Sequence, residues 1–305
     1  MRMLASLLLF CSLAFAESKS LAVQIALDQE GFSCNTIDGN WGRKSQRALE
    51  DYCRSRAIPL PATPDDAYDA LFADRKGLFR LVEVTQEDLD SLTPMPEKPA
   101  DKAKLPKMNY GSVKEMFAER GHLSRRALER MNPGVDWNNV SAGLKLVIPS
   151  FPSIRENLSV WKRNVKHQTA DSVTVSLSRF EVAAFDASGR QIALFPCSIA
   201  RNKSKRPATG ELKVATTIEN PNYTYTPDFV PKGQKASKHI LMDGPRNPVG
   251  VAWIGLSLPT YGIHGTPFPE SIGSAESHGC FRLANWNAAR LFALCKPGTR
   301  VRVEP

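Results

Sequence analysis

From Leu158 to the C-terminus the chain changes texture, and that change limits what it can fold into. Five runs, VTVSL, EVAAFD, IALFPCSIA, GELKVATTI and TRVRVEP, are rich in Val, Ile, Thr and Phe with partial alternation. Such runs fit pleated, half-buried strands. Asp186 to Arg190 (DASGR) reads as a hairpin turn between two of them. Helical periodicity is confined to Ala284–Leu294, where Trp286, Leu291 and Leu294 share a face. Residues 157–305 are therefore expected to form one mainly β domain with a short helix near its end.

Within that domain the chemistry concentrates in Gly262–Leu283, GIHGTPFPESIGSAESHGCFRL, which holds two of the five histidines. A cysteine attacks as thiolate, yet an ordinary thiol, with a pKa of about 8.5, is mostly protonated at neutral pH. A neighbouring imidazole that takes the proton and leaves an ion pair removes the difficulty. Cys280 has two candidates. His278 stands two residues before it, on the same side of an extended segment. His264 is expected to reach from a neighbouring strand and is the better base, since a backbone carbonyl can orient its other nitrogen. Gly279 lets backbone amides approach an oxyanion, and Arg282 would present a planar fork to a substrate carboxylate. The competing reading makes His264, His278 and Cys280 three zinc ligands, for which no fourth is evident. His122, His167 and His239 read most simply as surface or core histidines, and Cys197 as packing within a strand.

The first residues point outside the cytoplasm. Arg2 precedes an apolar run from Leu4 to Phe15, and Ala14-Phe15-Ala16 places small residues for cleavage before Glu17. This is a secretory signal peptide in outline, too short for a membrane span. No later stretch approaches transmembrane length, so an exported protein, in periplasm or cell wall, is expected. Without Cys11 five cysteines remain, an odd number that leaves at least one thiol unpaired. Cys34 and Cys53, close together in one small module, are expected to form a disulfide; Cys197 and Cys295 either pair or stay as buried thiols. The formal net charge of +9 suits an anionic partner. No basic run is long enough to favour nucleic acid.

The front of the chain reads as two small modules. Residues 17–60 are expected to form helix, turn, helix, with Leu21, Val23, Ile25 and Leu27 on the first and Gly31 ending it. With DGNWG between the helices, this segment resembles the type 1 peptidoglycan-binding module. Residues 61–106 hold an unassigned segment and a proline-rich linker, PMPEKPADKAKLP. Residues 107–151, through LERMNPGVDWNNVSAGLKLVIPS, resemble the second half of a LysM domain, a βααβ glycan-binding fold. YGSVKEMF stands where its opening strand is usually found.

The β domain resembles the L,D-transpeptidase (YkuD-type) catalytic domain. The likeness rests on His264-Gly265-Thr266 and on Ser277-His278-Gly279-Cys280-Phe281-Arg282. It extends through Ala208 to Glu211, Asn220-Pro221, Gly244 to Gly250, Asn285-Trp286 and Pro297 to Thr299. Asn287 departs from it, standing where many relatives carry an acidic residue. The resemblance implies a multidomain chain whose mainly β catalytic domain is a sandwich or barrel with short helices. It implies Cys280 as nucleophile, His264 as base, an oxyanion site near Gly279, and a pocket shaped by His278, Ser277, Thr266 and Gly265. Arg282 would bind a stem carboxylate. It further implies peptidoglycan stem peptides and glycan as partners, acylation by carbapenem-type inhibitors, and no metal or organic cofactor. Amine transfer would give a 3→3 cross-link. Transfer to water, anchoring of a protein, or a silent wall-binding domain are the alternatives.

Overall fold

The computed structural model describes residues 18–151, 169–227, 238–277 and 279–305. The signal-peptide reading, His167 and His278 lie outside the described residues. Among those described, no helix is long and apolar enough to cross a membrane.

The front of the chain opens with helix α1 (Lys19–Gln29), capped by the Ser18 hydroxyl, and α2 (Arg43–Arg56). Gly31, at φ +97°, ends α1 as its position predicts. Helix α1 is buried on every side from Leu21 to Asp28, where an amphipathic helix would leave one face wet. The far side is covered by the rest of the chain. Strand β1 (Phe79–Glu83) follows, then α3 (Val113–Arg120), α4 (Arg125–Met131) and β2 (Lys145–Pro149). β1 and β2 pair antiparallel along their whole length, Phe79 opposite Pro149 and Glu83 opposite Lys145. The strand that opens this second unit therefore comes from the unassigned segment, and YGSVKEMF contributes helix instead. Separation in sequence hid the pair, because the proline-rich stretch is inserted between its strands. That stretch also ends docked. Met108 is buried, donates to Asp243 O (2.8 Å) and accepts from Arg246 N (3.0 Å).

The expected disulfide does not form, and Cys34 and Cys53 are separate buried thiols. Cys34 hydrogen-bonds Ser45 in the first turn of α2, and Cys53 lies on the same helix. At 1.5 Å of rise per residue the two positions on α2 are about 12 Å apart, beyond a disulfide's reach. Proximity in sequence was misleading because the helix spends it on length.

The β domain comprises β3 (Ser172–Ser176), β4 (Glu181–Phe185), β5 (Gln191–Pro196), β6 (Ile199–Ala200), β7 (Gly210–Glu219), β8 (Tyr223–Tyr225), β9 (His239–Leu241), β10 (Ala252–Leu256), β11 (Gly262–His264), β12 (Ala275–Ser277), β13 (Phe281–Arg282) and β14 (Arg300–Glu304), with α5 (Asn285–Leu294) before the last. Eight strands form one sheet in the order β13-β11-β10-β7-β14-β3-β4-β5. The sheet curls until its ends nearly meet: Ser198, just beyond β5, makes an antiparallel bridge with Arg282 of β13. The β domain is thus a mainly β, curled sheet. Helix α5 packs on β10 and β11 and fills the curl with Ala288, Leu291 and Leu294.

The front units and the β domain are joined by more than chain. Phe32 bridges Leu194 of β5, and Ala183 and Leu194 belong to the same apolar core as Leu21, Phe32, Phe117 and Phe151. Arg290 of α5 donates to Asp28 O and Gln29 O, satisfying the last turn of α1. His122 is stacked between Phe151 and Trp286, at 3.9 and 5.0 Å, and pairs with Asp28 at 2.9 Å. Ser33 donates to that carboxylate and accepts from Asn287. Asn287, the departure noted in the sequence, thus serves as a polar joint between α5 and the front of the chain.

Candidate active site

β11 and β13 run side by side in parallel, Ile263 opposite Phe281 and His264 opposite Arg282. This pairing brings together residues the sequence separates by eighteen positions. Cys280 immediately precedes β13 in a bend, so only Phe281 and Arg282 of that segment are extended. The bend is held by Ser277, whose hydroxyl donates to Cys280 O (2.6 Å) and accepts from Gly279 N (3.4 Å). The half-buried Cys280 thiol donates to Thr260 O at 3.5 Å. A Cβ at Gly279 would touch nothing closer than 3.8 Å, at Lys205 O and Tyr261. The bare glycine thus leaves open space beside the thiol. Tyr261 donates to Lys205 O (2.9 Å) and so ties down one rim of that space.

His264 is buried, and its ring stacks on Trp253 of β10 at 5.5 Å. Its Nδ1 lies 2.7 Å from Gly265 O. A carbonyl only accepts, so Nδ1 must carry the proton, which leaves the lone pair on Nε2. Burial, with the Arg282 charge adding to it and the Gly265 bond opposing it, lowers the imidazole from 6.5 to about 4. Burial raises Cys280 above its ordinary value of 9.0, against a backbone hydrogen bond from Gly262. The resting pair is therefore neutral thiol and neutral imidazole, not the ion pair expected from sequence. Alkylation of Cys280 by iodoacetamide should accordingly stay slow through pH 8 and climb only above pH 9. A flat, fast rate between pH 5 and 8 would show a resting thiolate instead.

Thr266 is buried, and its hydroxyl accepts from Phe268 N (3.3 Å), shaping the turn after β11. The family model for the YkuD L,D-transpeptidase catalytic domain matches residues 170–303. A Fuscovulum blasticum protein named as an L,D-transpeptidase is 33% identical over 184 residues, covering 53% of this chain and 90% of its own length. The chain belongs to the YkuD family of L,D-transpeptidases. YkuD of Bacillus licheniformis, also named as an L,D-transpeptidase, is 28% identical over 195 residues, covering 64% of this chain and 95% of its own. Those residues outnumber the stretch from 170 to the C-terminus, so the likeness extends upstream of the catalytic domain.

The family motif supplies Cys280, His264, Ser277, Gly279 and Arg282, and the fold gathers them at one edge of the curl. Several neighbours carried no signal in the sequence. Thr260, the acceptor for the thiol, has a left-handed backbone (φ +70°), uncommon for a β-branched residue. Trp253 and Tyr261 stand outside every motif that the sequence offers. Among the described residues no three His, Cys, Asp or Glu side chains converge as metal ligands.

Proposed function

We propose that this L,D-transpeptidase acts outside the cytoplasm on peptidoglycan stem peptides through a Cys280 thioester. The observation that carries the reading is the parallel pairing of β11 with β13, which brings the Cys280 bend next to the strand that bears His264, whose Nδ1 proton is held by Gly265 O. Cys280 Sγ attacks the carbonyl between the third residue of a tetrapeptide stem, a diamino acid, and its terminal D-alanine. His264 Nε2 takes the thiol proton as the C–S bond forms and returns it to the departing D-alanine nitrogen. A neutral pair suits this sequence, because charge develops only as the bond forms. Amides near Gly279 and Cys280 hold the oxyanion, and Ser277 keeps their bend in shape. Arg282 binds a stem carboxylate, while His278, Gly265 and Thr266 line the pocket. An amine of a second stem then attacks the thioester, frees the thiol and leaves a 3→3 cross-link. The same thiol is the site of acylation by carbapenem-type β-lactams.

The front units are read as wall-binding elements, peptidoglycan-binding-like and LysM-like. Two short helices, Gln86–Asp90 and Pro99–Lys102, interrupt the run from β1 to α3, but the pairing of β1 with β2 around α3 and α4 supports the second reading. Between α2 and the catalytic sheet lies a cavity of about 410 Å³ lined by Arg43, Lys44, Arg47 and Arg179, with Glu50 and Glu181 opposing them. Its excess of cations suits a carboxylate-bearing polymer.

Incubation with a purified tetrapeptide-containing muropeptide, read by mass spectrometry, tests the reaction. A dimer lacking one D-alanine is expected. Loss of D-alanine without dimer would make the acceptor water, and no change in mass would remove the stem peptide as substrate.

A further inference from the structure

Glu119, on α3 of the front unit, reaches the catalytic domain. Its side chain is buried, and Oε1 accepts from the Tyr110 hydroxyl (2.9 Å) and from Asn285 Nδ2 (3.1 Å). The same Nδ2 lies 3.3 Å from Oε2 and 2.9 Å from Pro245 O. Asn285 is the first residue of α5, and its other amide atom points the opposite way. Asn285 Oδ1 is buried with no hydrogen-bond partner among the described residues. It presses on two glycines: a Cβ added at Gly250 would stand 2.1 Å from it, and one at Gly265 2.3 Å. Gly265 is the residue whose carbonyl takes the Nδ1 proton of His264.

An asparagine amide can sit either way round, and only its partners decide. Here the carbonyl of Pro245 requires the NH2 end, and both Glu119 oxygens accept from that same end. The oxygen is thereby forced against the Gly250–Gly265 contact, where there is no room for anything larger. Without Glu119 the amide keeps only the Pro245 bond to hold this orientation, and Gly265 loses part of its fixed backing. We propose that Glu119 is a positioning residue for His264: through Asn285 it fixes Gly265, and with it the ring orientation and tautomer of the catalytic base. The front unit is then part of the active site's framework, whatever it does with the wall. This rests on the reading of His264 as the base.

The charged and titratable groups around the path are few. Tyr110, Glu115 and Glu270 act on Glu119, and Arg282 acts on His264. Burial, opposed by the Tyr110 and Asn285 hydrogen bonds, raises Glu119 to about 8, so it is mostly neutral at pH 7. Both forms accept from Asn285, so the path does not depend on ionisation.

The test uses the full chain and a carbapenem as acylating probe, with rate followed against pH and melting temperature recorded. Glu119→Ala is expected to slow Cys280 acylation at least tenfold and to move the acid limb away from pH 4. Glu119→Gln, which keeps an oxygen for the Asn285 amide, should return the rate to within about threefold. If Glu119→Ala melts lower but acylates at the native rate with the native acid limb, Glu119 is structural and the inference falls. Should that variant not fold, Glu119→Asp replaces it: the carboxyl is kept but withdraws by one methylene, and a native rate and limb there overturn the inference equally. His264→Gln separates the two layers. If it acylates normally the base assignment itself is wrong; if it is inactive while both Glu119 variants behave as native, only the positioning role is lost.

Discussion

Alanine in place of Cys280 is expected to leave a folded protein that neither takes up a carbapenem nor releases D-alanine from a tetrapeptide. The thiol contributes little to packing. It is half-buried, and its hydrogen bonds are a long one to Thr260 O at 3.5 Å and one from the Gly262 backbone. Removing it should shift stability by no more than about 1 kcal/mol, within the range of substitutions that open no core cavity. The loss in rate should be on the order of 10⁴-fold or more, as when a nucleophile is removed from a group that acts as a unit. His264→Gln should cost nearly as much for the same reason, since base and nucleophile work as one. Intact-mass spectrometry after carbapenem exposure reads both variants. A full mass increase in Cys280→Ala protein would place the nucleophile elsewhere.

The catalytic half of this arrangement was legible because its chemistry is local. Ser277, Cys280 and Arg282 fall within six residues, and the short strand bearing His264 lies in the same motif stretch, although no β run in the sequence marked it. What escaped was whatever depended on distant segments meeting. The partner of Lys145–Pro149 lies at Phe79–Glu83, across an inserted proline-rich stretch that masked the pairing. Cys34 and Cys53 gave the opposite error, close in sequence but kept apart because Cys34 sits at the first turn of α2 and Cys53 about two turns further along it. The neutral state of the Cys280–His264 pair was also hidden, because desolvation sets it and depends on what surrounds the ring. Trp253 supplies part of that cover. Asn287, noted in the sequence only as a departure from the family pattern, joins Ser33, Asp28 and His122 in a buried polar chain. No spacing rule links position 287 to position 33.

Deleting residues 17–150 is expected to unfold the catalytic domain rather than merely detach it from the wall. As a tether on a flexible linker, the front would be dispensable for soluble substrates. The packing argues otherwise. Removal would expose Leu194, Ala183 and the face of Trp286 that His122 covers, would strand Arg290 without its α1 carbonyls, and would take Glu119 from Asn285. Large buried apolar side chains are worth about 1.5–3 kcal/mol each, and orphaned buried polar groups about 1–3 kcal/mol each. Three or four such losses approach the whole stability of a typical domain, about 5–15 kcal/mol. The truncated protein should therefore show no cooperative melt by circular dichroism and should be recovered poorly in soluble form. A cooperative melt near that of the full chain would restore the flexible tether. Tethering itself is better probed by charge reversal at Arg43 and Lys44, which line the cationic cavity. Arg43 is exposed; Lys44 donates to Ile272 O and carries more structural risk. Weaker action on intact sacculi with unchanged action on soluble stems would then report on the wall, free of the framework that Glu119, Trp286 and Arg290 share.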